Sequence, residues 1–148
     1  MINLGFSGNG RMEAEVGQFV RELDAGAFVI DCLLNMTAAQ VAERTAPLVR
    51  QLREKHATTP ILLVEDRTFG NAWANAKRRS EHAERRRALR DAFAALGKDG
   101  VVGLHLLAGA DLLGDDDEGT TDGSHPSDLG MFRQAQHAIA ALRPLLGE

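Results

Sequence analysis

Near the end of the chain, Asp122-Gly123-Ser124-His125-Pro126 sets a carboxylate three residues from an imidazole. A glycine lies between them and a proline follows directly, so the loop is constrained. A carboxylate held this close can take one ring nitrogen and raise the basicity of the other, which is the arrangement of a general base. Taken alone, the pattern also fits a turn-forming Asp beside a solvent-exposed His.

Two other places could supply the rest of a reaction site. Gly5-Phe6-Ser7-Gly8-Asn9-Gly10-Arg11 reads as a glycine-rich loop whose backbone N–H groups could face an anion. It equally reads as a tight turn into a helix, and it has neither the Walker nor the dinucleotide spacing. Ser7 superficially resembles a nucleophile elbow, although Asn9 stands where that motif requires glycine. Asn35 directly follows an apolar run and could donate its amide to a developing oxyanion, or serve as an ordinary turn residue. His56, His82, His105 and His137 have no spacing that suggests a metal site, and no motif implies a cofactor. Lys77-Arg78-Arg79 and Arg85-Arg86-Arg87 are interleaved with Glu81 and Glu84, as in a solvated helix face with i,i+4 pairs.

These stretches fall between alternating strands and helices. Four apolar runs read as strands: Ile2–Phe6, Ala27–Cys32, Pro60–Val64 and Val101–Leu106. Four amphipathic stretches read as helices: Met12–Leu23, Ala38–His56 (with Thr37 as its cap), Ala76–Leu96 (with Gly97 just past its end) and Gly130–Leu146. The apolar stripes are Met12, Val16, Phe19, Val20 and Leu23 in the first, and Met131, Ala135, Ala138, Ile139 and Leu142 in the last. Strands apolar on both faces, alternating with helices, predict a mostly parallel sheet covered on two sides. Functional loops then lie beyond the carboxyl ends of the strands, here 7–11, 33–37, 65–75 and 107–129.

Composition limits the function classes. A length of 148 residues predicts one domain spanning 1–148, and 44% apolar with 26% charged residues is an ordinary globular balance. The net charge of −4 gives no global pull toward nucleic acid or an anionic membrane. Cys32 stands alone, so there is no intrachain disulfide. No apolar run approaches the ~20 residues needed to span a bilayer, and no signal peptide is visible, so the sequence as written reads as cytoplasmic.

Taken together and in order, the weak signals resemble the SGNH or GDSL-type esterases. That family has four blocks supplying a nucleophilic Ser, a Gly, an Asn, and a paired Asp and His. Gly8 in Asn3-Leu4-Gly5-Phe6-Ser7-Gly8-Asn9-Gly10 matches the Gly block, and Asn35 in Asp31-Cys32-Leu33-Leu34-Asn35-Met36 matches the Asn block. Asp122 and His125 match the last block, and Glu65–Ala72 also looks like this branch. No Gly-Asp-Ser-like segment occurs in the chain.

The resemblance implies a three-layer α/β/α flavodoxin-like fold that lacks its first strand. It implies an ester hydrolase acting on a small-molecule acyl ester, such as a carbohydrate acetyl ester. His125 would be the base, Asp122 its orienting group, and Gly8 and Asn35 the oxyanion hole. The nucleophilic Ser would be missing from this chain. The alternatives are Ser7 as nucleophile, or a non-catalytic module that binds carbohydrate or a partner. The absent strand belongs between Ile2–Phe6 and Ala27–Cys32, so those two strands are expected either to pair directly or to leave a slot.

Overall fold

The computed structural model describes residues 1–147. A three-stranded parallel sheet runs through it: β1 (Phe28–Ile30), β2 (Ile61–Val64) and β3 (Leu104–Leu107), in the order β1-β2-β3. The register pairs Phe28 with Ile61 and Ile61 with Leu104. Four helices surround the sheet: α1 (Ala14–Glu22), α2 (Ala38–Arg53), α3 (Ala76–Lys98) and α4 (Asp128–Leu146).

The alternation of side chains along β2 divides the core. Ile61 and Leu63 pack with Phe28, Val41, Leu48, Val49, Leu52, Leu89 and Leu96, so α2 and α3 cover one face, with α1 beside α2. Leu62 and Val64 point the other way and meet Leu112, Ala141 and Leu142, which puts α4 on the second face. All four β2 residues are buried, as a central strand with continuous apolar sequence requires. The layers are thus helix, sheet, helix, and the expected α/β/α class holds.

The expectation for Ile2–Phe6 fails. The segment forms no strand, and Met1, Ile2, Leu4 and Phe6 are exposed. Neither direct pairing with β1 nor a buried slot occurs. A strand needs a partner to satisfy its backbone groups, and the segment instead leaves the sheet. β1 is therefore an open edge, with Val29 47% exposed.

Other corrections are smaller and share one cause. Phe19 on α1, and Met131 and Ile139 on α4, belong to the apolar stripes but face solvent. Helical spacing shows which residues share a face, not whether another layer lies against it. The end of α3 also differs: Gly97 stays helical and Gly100, at φ 79°, is the left-handed residue. There the Val101 N–H donates to Leu96 O and the Gly100 N–H to Gly97 O, a complete Schellman closure. The Thr37 cap forms as a capping box with Gln40.

Candidate functional site

Asn35 and the Asp122–His125 pair lie on loops at the carboxyl ends of β1 and β3, whereas Ser7 and Gly8 lie on a loop that precedes α1 and follows no strand. After β1, a 3-10 turn over Leu33–Asn35 presents the Asn35 side chain, whose Nδ2 donates to Gly10 O at 3.2 Å. That bond joins the glycine-rich loop to the exit of β1. Two further anchors hold the loop: Arg44 of α2 donates to Arg11 O at 3.0 Å, and Met12 is buried in the main core. A primary amide has two N–H groups, so Asn35 keeps one for another acceptor. Ser7 and Gly8 lie just beyond these anchors on an exposed turn, at φ 42° and 81°.

After β3, residues 119–127 fold back as a short loop. Thr120 and Pro126 form an antiparallel bridge, and the Thr121 N–H donates to His125 O at 2.9 Å. Ser127 caps α4 by accepting from the Gly130 N–H, and its hydroxyl donates to Glu118 O. Inside this loop the Asp122 carboxylate collects three donors: the Ser124 N–H at 2.9 Å, the His125 N–H at 2.7 Å and His125 Nδ1–H at 2.7 Å. The His125 N–H, the imidazole and the Ser124 N–H together hold the Asp122 carboxyl well below the usual carboxylate range. With Nδ1 held, Nε2 is the proton-accepting nitrogen, and the ring is 76% exposed.

The loop after β2 ties these parts together. Gly70 lies against Thr120, and Gly123, at φ 82°, lies against the Asn71 side chain so closely that a Cβ would sit 2.6 Å from it. Arg67 donates to Ser124 O at 3.4 Å. The structure thus joins Asp122 to His125, and Asn35 to the Gly8–Arg11 loop. Among the described residues no hydrogen bond links His125 directly to Ser7, Gly8 or Asn35.

Motif reading overlooked the residues that fix the β2 exit. Glu65 and Asp66 are buried and face α3. Asp66 accepts from His82 Nδ1 at 2.7 Å and Arg85 Nε at 2.8 Å, while Arg86 binds its main-chain oxygen. Glu65 pairs with Arg90 and accepts the Gly109 N–H at 3.0 Å. The Phe69 N–H donates to His82 Nε2, which sets the proton of that ring on Nδ1. Of the basic residues read as a solvated face on α3, Lys77, Arg78, Arg79 and Arg87 are exposed, and Lys77 and Arg78 pair with Glu81. Arg85 is buried and Arg86 half-buried, so the expectation fails at those two. A signal was present: His82, Arg85, Arg86, Leu89 and Arg90 share one helical face.

Cys32, beside Asn35, is a free thiol whose pKa is pushed up to about 12 by burial and by the nearby Asp31 and Glu13 carboxylates. That makes it an inert neighbour rather than a nucleophile. Among the described residues no group of His, Cys, Asp and Glu could hold a metal ion, and no helix is long and apolar enough to cross a membrane.

The model of the GDSL-like lipase/acylhydrolase family matches residues 1–143, and the chain belongs to that family. A crystal structure described as a GDSL-like lipase of Bacteroides ovatus ATCC 8483 is 36% identical, with a TM-score of 0.94 over 99% of this chain and 43% of that one. The salicylyl-acyltransferase SsfX3 from a tetracycline biosynthetic pathway has the same fold, with a TM-score of 0.79 at 19% identity over 96% of this chain and 44% of its own. This chain therefore spans less than half the length of either structure. No curated protein matches it.

Proposed function

We propose that residues 1–148 carry the base and oxyanion half of a site that hydrolyses a small acyl ester, or passes the acyl group to another hydroxyl. The observation that carries this reading is the Asp122–His125 hydrogen bond, which leaves an exposed imidazole nitrogen free to take a proton. His125 Nε2 removes the proton of a serine hydroxyl as its oxygen attacks the ester carbonyl. The Gly8 N–H and the remaining Asn35 N–H hold the oxyanion that forms. His125 then gives its proton to the departing alcohol, and water repeats the cycle on the acyl-enzyme. Asp122 keeps the ring oriented and stabilises the imidazolium. Each oxyanion donor contributes about 3 kcal/mol to the barrier reduction.

The nucleophile is best supplied from outside these residues. No serine among them follows the family pattern, and the open edge of β1 next to Asn35 is where a further parallel strand would bring one. The greater length of the two solved structures supports this. A fluorophosphonate probe tests the proposal. Residues 1–148 alone should not be labelled, whereas a chain extended upstream of Met1 should be labelled at one new serine and should hydrolyse p-nitrophenyl acetate. His125→Ala should lower that rate at least a thousandfold. Labelling of Ser7, or turnover unaffected by His125→Ala, would overturn it.

A further inference from the structure

Two arginines near the carboxyl edge of the sheet, Arg11 and Arg67, pair with no carboxylate among the described residues and keep a buried Nε without a partner; of the two, Arg67 reaches the loop of Asp122 and His125. Arg85, Arg86, Arg90 and Arg133 all pair with carboxylates. Arg67, half-buried three residues past the end of β2, pairs with none among the described residues. Its Nε is buried without a partner, and its one side-chain hydrogen bond, to Ser124 O, is at the 3.4 Å limit of such contacts. Asp31 and Asp66 are the acids whose fields act on it, and both are engaged elsewhere. Asp66 is taken by His82 and Arg85, and Asp31 accepts from Gln134 Nε2 at 3.3 Å. Desolvation raises the Asp31 carboxyl pKa, with Arg67 opposing, and lowers that of Arg67.

A guanidinium taken partly out of water with acids nearby but none hydrogen-bonded to it loses hydration and recovers only part of it. Its planar fork matches a carboxylate, which it binds through two parallel hydrogen bonds. Arg67 also touches the residue directly before His125, so a group held there lies beside the proposed reaction centre. We propose that Arg67 is the specificity-determining residue of this site and receives a carboxylate carried by the ester substrate. The inference rests on the esterase reading and narrows it to esters that keep one free acid group, held so that the scissile carbonyl faces His125.

Binding to the chain as it stands, without turnover, tests this. Isotope-labelled protein is titrated with monoethyl succinate and, separately, with neutral diethyl succinate while amide, guanidinium and imidazole resonances are followed. The monoester should give saturable shifts at Arg67 Nε–H and at the Ser124 and His125 amides, with at least tenfold higher affinity than the diester. Arg67→Gln should erase that preference while the His125 ring resonances keep the pattern of an Nδ1-held imidazole. Arg67→Lys should retain part of it, since charge remains but the fork is lost. Arg143→Gln, an exposed change on α4, should have no effect. Equal affinity for the two esters, no saturable shift with either, or a preference that survives Arg67→Gln would overturn the inference. An Arg67-dependent preference in a protein whose extended form shows no His125-dependent hydrolysis would keep the anion site and remove the esterase.

Discussion

Asp122 does its work through three short contacts on an exposed loop, so its behaviour with pH can be stated by sign. Its folded pKa is depressed below the ordinary carboxylate value of 3.8 by the His125 N–H, the imidazole and the Ser124 N–H. A depressed carboxyl stabilises the fold above its unfolded pKa, and that contribution is lost as pH falls through the lower folded value. The loop should therefore stay closed through neutral and mildly acid pH and open only well below pH 4. Carbon-detected titration of the Asp122 carboxyl should give a midpoint below 3.8, and His125→Ala should move it upward. A midpoint at or above the ordinary carboxylate value would show that the three contacts do not persist in solution.

At the scale of elements, α3 acts on the site from behind. Its inward face, His82, Arg85, Arg86 and Arg90, holds Glu65 and Asp66 and so fixes where the β2 exit leaves the sheet. That exit carries Arg67, Gly70 and Asn71 to the loop of Asp122 and His125. Close backbone approach reinforces it: a Cβ on Gly109 would lie 2.1 Å from Asp66 O, so only glycine lets the β3 exit pass. Asp66→Asn removes the charge that compensates Arg85 and part of Arg86. The expected loss is about 3–5 kcal/mol of unfolding free energy, the usual cost of leaving a buried charge unpaired. Urea unfolding followed by circular dichroism measures it. A loss within about 0.5 kcal/mol, the range of ordinary surface substitutions, would mean the cluster is solvated rather than structural.

At the scale of the whole molecule, the second helical layer is thin. α4 is the only helix on its face of the sheet, where Leu112 of the loop after β3 joins it, and Met131, Phe132, Ile139 and Leu146 on it are exposed, as is Val29 on the open edge of β1. An unpaired strand edge beside exposed apolar side chains is a template for association. The apparent molar mass from static light scattering should rise with concentration. Val29→Lys, which puts a charge on that edge, should lower the apparent mass while changing the thermal midpoint little. An apparent mass that stays monomeric at all concentrations, or is unchanged in the variant, would count against association through this edge.

Much of this was legible in the chain alone. A continuous apolar run marked β2, because a strand buried on both faces must be apolar at every position, and shorter apolar runs marked the half-buried β1 and β3. The Thr37 cap was readable because its chemistry is local. Asp122 and His125 could be paired from sequence because three residues and one turn bring them together. What sequence could not decide was everything that depends on a neighbour far along the chain. Ile2–Phe6 has the composition of a strand, but pairing requires a partner edge, and in this structure it lies in solvent. Arg85 looks like any surface arginine until Asp66, 19 residues away, is folded against it. Arg67 stands out only once Arg85, Arg86, Arg90 and Arg133 have found their carboxylates and the chain has brought it against Ser124. Charge and periodicity are properties of the sequence, whereas burial and pairing arise when distant segments exclude water together, and that is set by tertiary structure.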